Sequence, residues 1–295
     1  MNFFTLTPEH LPLIRPYFAT DPSRICDRTI GGTMLWRSYY KTSFFCNGKT
    51  LIFRILHPTA GICYSVPLGD RQEGLVLLSE QAFRMGNSLR FFPVSPEDEP
   101  FLSSFFGDKI RFEPVRDAFD YLYRAENLIQ LSGSAYAGQR NQISKFCREN
   151  PDWSFERITP KNAAEAARFC DDFFQNVRKD YSDTYQAEEK ELPEAFAELA
   201  VFGMFGGILR GDDRIAAVAL GEYRADTLYV HIEKADRACR GAYQKMVNCF
   251  AAEFAGEGIC YINREEDDGD PGLRESKLSY HPEVLLPKSI AYVEK

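Results

Sequence analysis

The chain has 295 residues, enough for about two domains of the usual ~100–200 residues each. It is 44% hydrophobic, 26% charged and 14% aromatic, a composition typical of a globular protein with a proper core. Forty-three acidic residues against 35 basic ones give a formal net charge of −8, which argues against a general nucleic-acid coat or a polybasic membrane anchor but leaves room for a local basic groove.

The sequence shows little sign of a membrane span, an export signal, disulfide bonds or a metal site. The apolar runs are far shorter than the ~18 residues that a membrane span needs, so we expect no integral membrane segment. The N-terminal residues do not resemble an export signal, and the eight cysteines form no C-x-x-C pair. The four histidines are dispersed, so no metal site is predicted. We therefore expect a cytoplasmic protein with reduced, mostly buried thiols.

The first half of the chain alternates strand and helix patterns. Thr7-Pro8 is typical of a helix start, with threonine as N-cap and proline at the first helical position, and Asn47-Gly48 is typical of a hairpin turn. The predicted order is strand 3–6, a helix from Thr7-Pro8, helix 32–40, hairpin 44–46 and 50–55, strand 61–66, helix 72–86, strand 88–92, a short helix 97–106, and strands 110–114 and 118–124.

A loop and a basic helix over 133–148 connect this half to a similar second half. The second half begins with an extended segment and a helix that starts at Thr159-Pro160. The predicted elements are strand 153–158, a helix to about Arg178, helix 189–202, a hairpin 207–210 and 214–221 around the turn 211–213, strand 227–233, a helix to about Phe254, strand 258–263, a short helix 271–277 and an extended region 280–293.

Two short matches favour an internal duplication. Thr7-Pro8 corresponds to Thr159-Pro160, and Lys109–Pro114 corresponds to Lys277–Pro282 as Lys–aliphatic–x–aromatic–x–Pro, although short extended segments also match by chance. The predicted fold class is α/β, with an α+β mixed sheet in each half. The predicted domains are 1–130, a basic connecting helix 131–150, and 151–295.

Four segments carry a family resemblance: Tyr136–Phe146, Tyr229–Asp236, Tyr261–Asp267 and Gly272–Pro282. They resemble an uncharacterised bacterial family related to the C-terminal domain of phosphatidylglycerol lysyltransferase. The resemblance covers almost the whole chain and implies two tandem GNAT-like acyltransferase domains, akin to Fem-type transferases. It also implies aminoacyl-tRNA as the donor and an amine or hydroxyl acceptor, such as a small molecule or a peptidoglycan precursor.

The loop Asp236–Ala242 resembles a degenerate form of the GNAT phosphate loop. Such a loop presents backbone N–H groups at a helix N-terminus, and arginines add charge for the phosphates of a donor. The candidate donor-binding residues are Arg237, Arg240, Gly241 and Ala242. An ordinary strand-to-helix turn explains the same residues. The first-half loop 67–72 is poorer in glycine, which assigns the active half to the C-terminus.

Candidate proton-transfer groups follow on the next elements. Period-2 alternation puts Tyr229, His231 and Glu233 on one face of a strand, and either His231 or Glu233 is a candidate base. The resemblance places Tyr280 where many GNAT enzymes hold a tyrosine acid, and a phenol donates without first ionising. Each of these side chains is also explained as a satisfied structural group.

The remaining candidates bind substrate. Asn263, Glu265 and Asp267 follow a buried strand and suit an ammonium group, and Lys277 suits a phosphate-bearing donor. Arg140 and Lys145 form a candidate basic patch for tRNA. The alternatives are a solvated acidic loop and a solvated helix face.

The leading hypothesis is aminoacyl transfer, and acetyl transfer from acetyl-CoA is the second; neither requires a tightly bound cofactor. A non-catalytic ligand-binding module is the rival class. All the enzymatic hypotheses require that two neighbouring strands of the second half part beside Tyr280.

Overall fold

A computed structural model describes residues 1–177, 182–212 and 214–294. The chain divides into two compact units, and each is built from more than one stretch of sequence. Unit 1 comprises Met1–Asp120, Glu266–Gly269 and Leu286–Lys295, and unit 2 comprises Tyr121–Glu265 and Asp270–Leu285.

The strands of the described residues are, in chain order, β1 (Phe4–Thr5), β2 (Ser43–Cys46), β3 (Thr50–His57), β4 (Gly61–Tyr64), β5 (Leu68–Gly69), β6 (Arg90–Val94), β7 (Ile110–Pro114), β8 (Asp120–Arg124), β9 (Ser154–Arg157), β10 (Met204–Gly211), β11 (Arg214–Arg224), β12 (Thr227–Ala235), β13 (Tyr261–Asn263), β14 (Val284–Leu286) and β15 (Ser289–Val293).

The α-helices of the same residues are α1 (Leu11–Ala19), α2 (Ile30–Leu35), α3 (Arg71–Met85), α4 (Glu99–Phe106), α5 (Ala125–Gln130), α6 (Ala137–Glu149), α7 (Ala163–Asn176), α8 (Asp183–Ala197), α9 (Leu199–Phe202), α10 (Ala242–Phe254) and α11 (Pro271–Leu278). Short 3₁₀ turns precede α1, α2 and α6 and flank β7.

Unit 1 holds a mixed sheet in the order β1-β2-β3-β4-β6-β15-β7, with β5 paired to β3. The pair β4 and β6 is parallel, through Tyr64 and Phe91, and the other pairs are antiparallel. Leu75 and Leu78 of α3 and Leu102 of α4 pack on this sheet, because helical spacing puts the apolar side chains of each helix on one face.

Unit 2 holds a second mixed sheet in the order β14-β8-β13-β12-β11-β10-β9. Helices α5, α6 and α10 cover it, and Phe146 of α6 and Phe250 and Phe254 of α10 are buried in the core. Helix α6 is therefore an integral part of unit 2 and not a linker, because its apolar face is buried.

The predicted contiguous domains differ from these units in their last strands. Strand β8, predicted at 118–124 within the first domain, pairs with β13 in the sheet of unit 2. Strand β15, from the end of the chain, lies between β6 and β7 in the sheet of unit 1. Periodicity identifies a strand but does not identify its neighbours, and for this reason the predicted boundaries differ from the two units.

The two short matches do not lie at equivalent places. Lys109–Pro114 covers the last residue of a 3₁₀ turn and then β7, whereas Lys277–Pro282 covers the end of α11 and the turn after it. Helix α7 begins after Asn162 and not at Thr159-Pro160, because Thr159 and Asn162 form a hydrogen-bonded turn first. The helix predicted at 189–202 is two helices, α8 and α9. The predicted helix end at Arg178, and Asp213 of the predicted hairpin turn, lie outside the described residues.

The feature that positions the candidate site is the pairing of β12 with β13. These strands are parallel, and their register joins Thr227–Tyr229 to Tyr261–Asn263. Strand β12 continues to Ala235, paired to β11, after β13 has ended at Asn263. The pairing of the two strands therefore ends after Tyr229, because β13 has only three residues.

All eight cysteines are free thiols; four of them are buried, and Cys260 is exposed. Among the described residues, no helix combines the length and the apolar character that crossing a membrane would take.

Candidate functional site

The polar face of β12 is as predicted. The Tyr229 and His231 rings stack with centroids 6.4 Å apart, and Glu233 follows on the same face. Because these residues alternate with Val230 and Ile232, one face of the strand carries the polar groups. Glu233 lies in the part of β12 that extends beyond β13.

Arg264 is the ionic partner of Glu233. It follows the last residue of β13, and its Nη2 donates to both carboxylate oxygens of Glu233, at 3.2 and 3.1 Å. The two side chains are 9% and 13% exposed, so the ion pair is largely buried but reaches solvent. The Nη1 of Arg264 is buried and has no hydrogen-bond partner among the described residues.

Tyr280 lies directly beside this ion pair. The guanidinium carbon of Arg264 is 4.9 Å from the centre of the Tyr280 ring. The residue is 2% exposed, and within the described part of the chain its hydroxyl oxygen also has no hydrogen-bond partner. Burial raises the pKa of Tyr280 above its ordinary value, against an opposing effect of Arg264, so the phenol stays protonated at neutral pH. Two buried donors, Arg264 Nη1 and Tyr280 Oη, thus lie together without hydrogen-bond partners. A buried donor without an acceptor costs free energy, so the pair suits a ligand that accepts these two hydrogen bonds.

Lys277 and Tyr123 support the backbone around these groups. The Nζ of Lys277 donates to the carbonyl oxygen of Arg264 at 2.6 Å, and the Tyr123 hydroxyl donates to the carbonyl oxygen of Lys277 at 2.8 Å. Lys277 therefore lies near Glu233 and Tyr280, but its ammonium group binds the backbone of Arg264, just after β13. This contact is different from the predicted role of binding a phosphate-bearing donor.

His231 does not fit the role of a base. Its Nδ1 lies 2.6 Å from Glu265 and its Nε2 lies 2.9 Å from Glu222, so both nitrogens are hydrogen-bonded to carboxylates. Burial alone would lower the pKa of His231, but the two carboxylates outweigh it and raise the pKa to about 10. The ring is therefore an imidazolium at neutral pH, with no lone pair to accept a proton.

The acidic run after β13 is divided between internal partners. Asn263 accepts from the backbone N–H of Glu265, and Glu265 holds His231. Asp267 is fully buried in unit 1, where it pairs with Arg116 at 3.1 Å and accepts from the N–H of Gly269. The predicted ammonium site of Asn263, Glu265 and Asp267 is therefore not assembled, because adjacent residues of the run point to separate partners. Sequence proximity could not reveal this.

The predicted donor loop lies between β12 and α10. Arg237 and Arg240 are exposed there, and Gly241 and Ala242 begin α10. Gly241 has a φ of +80°, and a Cβ at this position would overlap the carbonyl oxygen of Gln142 on α6. Packing against α6 thus explains the glycine, and the two arginines lie exposed just before the N-terminus of α10.

Replacing Gly241 by alanine is expected to lower the free energy of unfolding by about 2–4 kcal/mol, because the left-handed backbone and the overlap with Gln142 both cost energy. Urea denaturation measures this change. Gly138→Ala is the matched control: a Cβ there meets nothing within 4 Å on α6, so stability should be unchanged or up to about 1 kcal/mol higher. Equal stabilities of the two variants would contradict the packing described here.

The predicted tRNA patch on α6 is held by local contacts. Arg140 donates to the carbonyl oxygens of Leu131 and Gly133, in the segment that follows α5. The Nζ of Lys145 lies 4.0 Å from the carboxylate of Glu149, one helical turn later. These contacts account for both residues without a ligand.

Unit 1 also contains a buried cluster of charged side chains, centred on Lys288. The Nζ of Lys288 lies 2.6 Å from Asp27, 2.7 Å from Asp120 and 3.3 Å from Glu266 and from the sulfur of Cys26. Ligand atoms of Cys26, Asp120 and Glu266 lie within 4.8 Å of one another, a spacing that suits a metal ion. The Lys288 ammonium, which is 1% exposed, takes the cation position instead.

Replacing Lys288 by methionine is expected to cost about 3–5 kcal/mol of unfolding free energy near pH 8, since three carboxylates lose their shared cation. Burial raises the pKa of Asp120 to about 6, so the cost should be smaller near pH 5, where this carboxylate is mostly neutral. Lys109→Met, at an exposed lysine of the same unit, should change stability by less than about 0.5 kcal/mol. A Lys288→Met variant as stable as wild type would show that the cluster is not a stabilising unit.

The comparisons with solved structures agree with this architecture. A conserved protein of unknown function from Bacteroides thetaiotaomicron VPI-5482 is 29% identical over 100% of both chains, with a TM-score of 0.91. The C-terminal domain of a putative lysylphosphatidylglycerol synthetase from Agrobacterium fabrum is 16% identical, with a TM-score of 0.68 over 96% of this chain and 91% of that one. FemX is 9% identical, with a TM-score of 0.59 over 99% and 97%. These structures share the fold of this chain, and the expected mixed α/β architecture with two sheets is confirmed.

No curated protein matches this sequence at a significant level. The sequence does match, over residues 19–292, the family described as phosphatidylglycerol lysyltransferase, C-terminal. This range covers the strands β12 and β13, the ion pair of Glu233 with Arg264, and Tyr280. The chain therefore belongs to the phosphatidylglycerol lysyltransferase C-terminal family.

Proposed function

We propose that the protein is an acyltransferase that moves an aminoacyl group from aminoacyl-tRNA to an amine or hydroxyl acceptor. The observation that carries this proposal is the pair of partnerless buried donors, Arg264 Nη1 and Tyr280 Oη, next to Glu233, which lies on β12 beyond the end of β13. Acyl transfer needs donors for a developing oxyanion and for a leaving oxygen, and this pair supplies both. Membership of the family supports the aminoacyl form of the reaction.

The reaction forms a bond from the acceptor nitrogen or oxygen to the acyl carbon, and it breaks the bond from that carbon to a ribose oxygen of the tRNA. Arg264 Nη1 donates to the carbonyl oxygen as it becomes negative. The Tyr280 phenol gives its proton to the departing ribose oxygen and recovers one from the acceptor, so the protons balance. Glu233 is a positioning residue, since it holds the Arg264 guanidinium through Nη2.

The exposed arginines at the start of α10 support a phosphate-bearing donor. Arg237 and Arg240 are exposed just before the N-terminus of α10, and both cationic charge and a helix N-terminus favour anions. Both tRNA and acetyl-CoA carry phosphates, so this feature agrees with either donor. The donor must therefore be determined by experiment.

A transfer assay distinguishes these donors. The purified protein is incubated with a pooled set of radiolabelled aminoacyl-tRNAs, or with labelled acetyl-CoA, and with a bacterial extract of small molecules and lipids as the acceptor pool. We expect label to move from aminoacyl-tRNA to an acceptor, and the Arg237→Ser/Arg240→Ser variant to raise the donor KM with little change in kcat. Transfer from acetyl-CoA alone would replace the proposed donor. No transfer from either would favour a non-catalytic binding module.

A further inference from the structure

The turn that carries Tyr280 is bound to the segment where α6 begins. Tyr136 ends the 3₁₀ turn before α6, and Gln139 lies in the first turn of the helix. The Tyr136 hydroxyl donates to the carbonyl oxygen of Tyr280 at 3.1 Å, and the Nε2 of Gln139 donates to the carbonyl oxygen of Ser279 at 2.8 Å. Tyr136 and Gln139 are more than nine-tenths buried, and all four residues belong to unit 2.

These two hydrogen bonds act on the backbone dihedral angles of Tyr280. The carbonyl group of Ser279 belongs to the peptide plane before the Cα atom of Tyr280, and the carbonyl group of Tyr280 belongs to the plane after it. Because each peptide unit is planar, the orientations of these two planes determine φ and ψ of Tyr280. The direction in which the Tyr280 side chain leaves the backbone is therefore set by Tyr136 and Gln139.

The next residue is held by the same segment. His281 has a φ of +52°, in the left-handed region that costs energy for a residue with a Cβ. Its Nε2 lies 3.2 Å from the carbonyl oxygen of Ala135, and its ring packs edge-on against Tyr136 with centroids 5.3 Å apart. A strained residue persists where the surrounding structure over-determines it. The contacts before α6 supply that support.

The Tyr280 hydroxyl does not position its own ring. It has no hydrogen-bond partner in the described part of the chain. The ring contacts are with Tyr123, edge-on with centroids 6.5 Å apart, and with the Arg264 guanidinium. Packing of this kind limits the space of the ring, but the direction of the phenol depends on the backbone that carries it.

We propose that Tyr136 and Gln139 are positioning residues that aim the Tyr280 hydroxyl at the leaving oxygen. This inference rests on the proposed acyl transfer. Proton transfer needs a donor within about 2.6–3.2 Å of the atom that accepts the proton, and a displacement of about 1 Å costs about 100-fold in rate. Neither residue is proposed to contact the donor, so their loss acts on kcat and not on donor binding.

Steady-state transfer kinetics of single variants test these roles. Tyr136→Phe removes one hydroxyl, and Gln139→Met replaces the amide by an apolar chain of similar length. We expect each to lower kcat about tenfold or more and to change the donor KM by less than about threefold. Tyr223→Phe loses the same kind of hydrogen bond, to the carbonyl oxygen of Phe254, and should leave kcat unchanged.

The Tyr280→Phe background shows whether Tyr136 acts through the Tyr280 hydroxyl. Single-turnover transfer of Tyr280→Phe should fall no further when Tyr136→Phe is added, because the hydroxyl that Tyr136 aims is already absent. An equal loss of rate in both backgrounds would overturn the inference, and so would full kcat in both Tyr136→Phe and Gln139→Met.

Fluorine NMR separates this inference from the proposed function. The full chain is labelled with 3-fluorotyrosine, and the Tyr280 resonance is the one missing from Tyr280→Phe. We expect this resonance to be single in the unsubstituted protein and in Tyr223→Phe, and to split or broaden in Tyr136→Phe and Gln139→Met. A split resonance in a protein without any transfer activity would overturn the acyl-transfer role and keep the positioning of Tyr280. An unchanged resonance in both variants would overturn the positioning.

Discussion

Replacing Tyr280 by phenylalanine is expected to lower the transfer rate about 10²–10⁴-fold without lowering the stability of the protein. The rate falls because the hydroxyl is the proposed proton donor to the leaving oxygen. Stability is kept or rises by up to about 1 kcal/mol, because the buried hydroxyl that is removed has no partner among the described residues. Single-turnover transfer and urea denaturation of the same preparation measure both effects.

Two other tyrosines serve as controls for this substitution. Tyr123→Phe removes one of the hydrogen bonds that the Lys277 carbonyl oxygen accepts, and that oxygen keeps the backbone N–H of Tyr280, so the substitution should cost about 1 kcal/mol of stability. Tyr223→Phe, whose hydroxyl donates to Phe254 at 2.6 Å, should leave the transfer rate unchanged. A Tyr280→Phe variant that keeps full activity, or one that loses as much stability as Tyr123→Phe, would show that the Tyr280 hydroxyl is structural.

The His231→Leu substitution is expected to destabilise the protein by about 3–5 kcal/mol, because Glu222 and Glu265 lose the cation between them. Adding Glu222→Gln and Glu265→Gln removes both charges and should restore most of that loss. Denaturant unfolding of the single and triple variants measures the difference. A single variant of wild-type stability would contradict the proposed charge state of His231.

The same triad gives the protein a pH dependence of known sign. The pKa of His231 is about 10 in the folded chain and about 6.5 in the unfolded chain, so folding favours its protonated form. Its contribution is complete below about pH 6.5 and is lost as the pH rises through about 10, with a slope of at most about 1.4 kcal/mol per pH unit. Wild type should lose stability between about pH 7 and pH 9.5, and the triple variant should lack this component.

Periodicity was sufficient for most of the elements and for the polar face of β12. The hairpin β10–β11, the strand β12 and the helix α10 lie close to their predicted ranges, because alternation and helical spacing are local properties of the sequence. The exchange of β8 and β15 between the sheets was not predictable, since strand partners depend on long-range packing.

The site was only partly predictable for the same reason. The sequence predicts Glu233 and Tyr280 as site residues, and they lie on either side of Arg264, which the sequence does not single out. The available signal is an arginine directly after a buried parallel strand, next to a longer strand that carries a glutamate. His231 was selected for its ordinary pKa, and no local pattern shows that Glu222 and Glu265 enclose it.

A crystal structure of the protein with a 3′-aminoacylamino-adenosine, in which a stable amide replaces the reactive ester, tests the central claim most directly. The account predicts that the amide carbonyl oxygen lies within about 3.2 Å of Arg264 Nη1, and that the amide nitrogen, which replaces the leaving ribose oxygen, lies within about 3.2 Å of Tyr280 Oη, with Glu233 still bound to Nη2. An analogue bound elsewhere, with those two donors still unpaired, would contradict it.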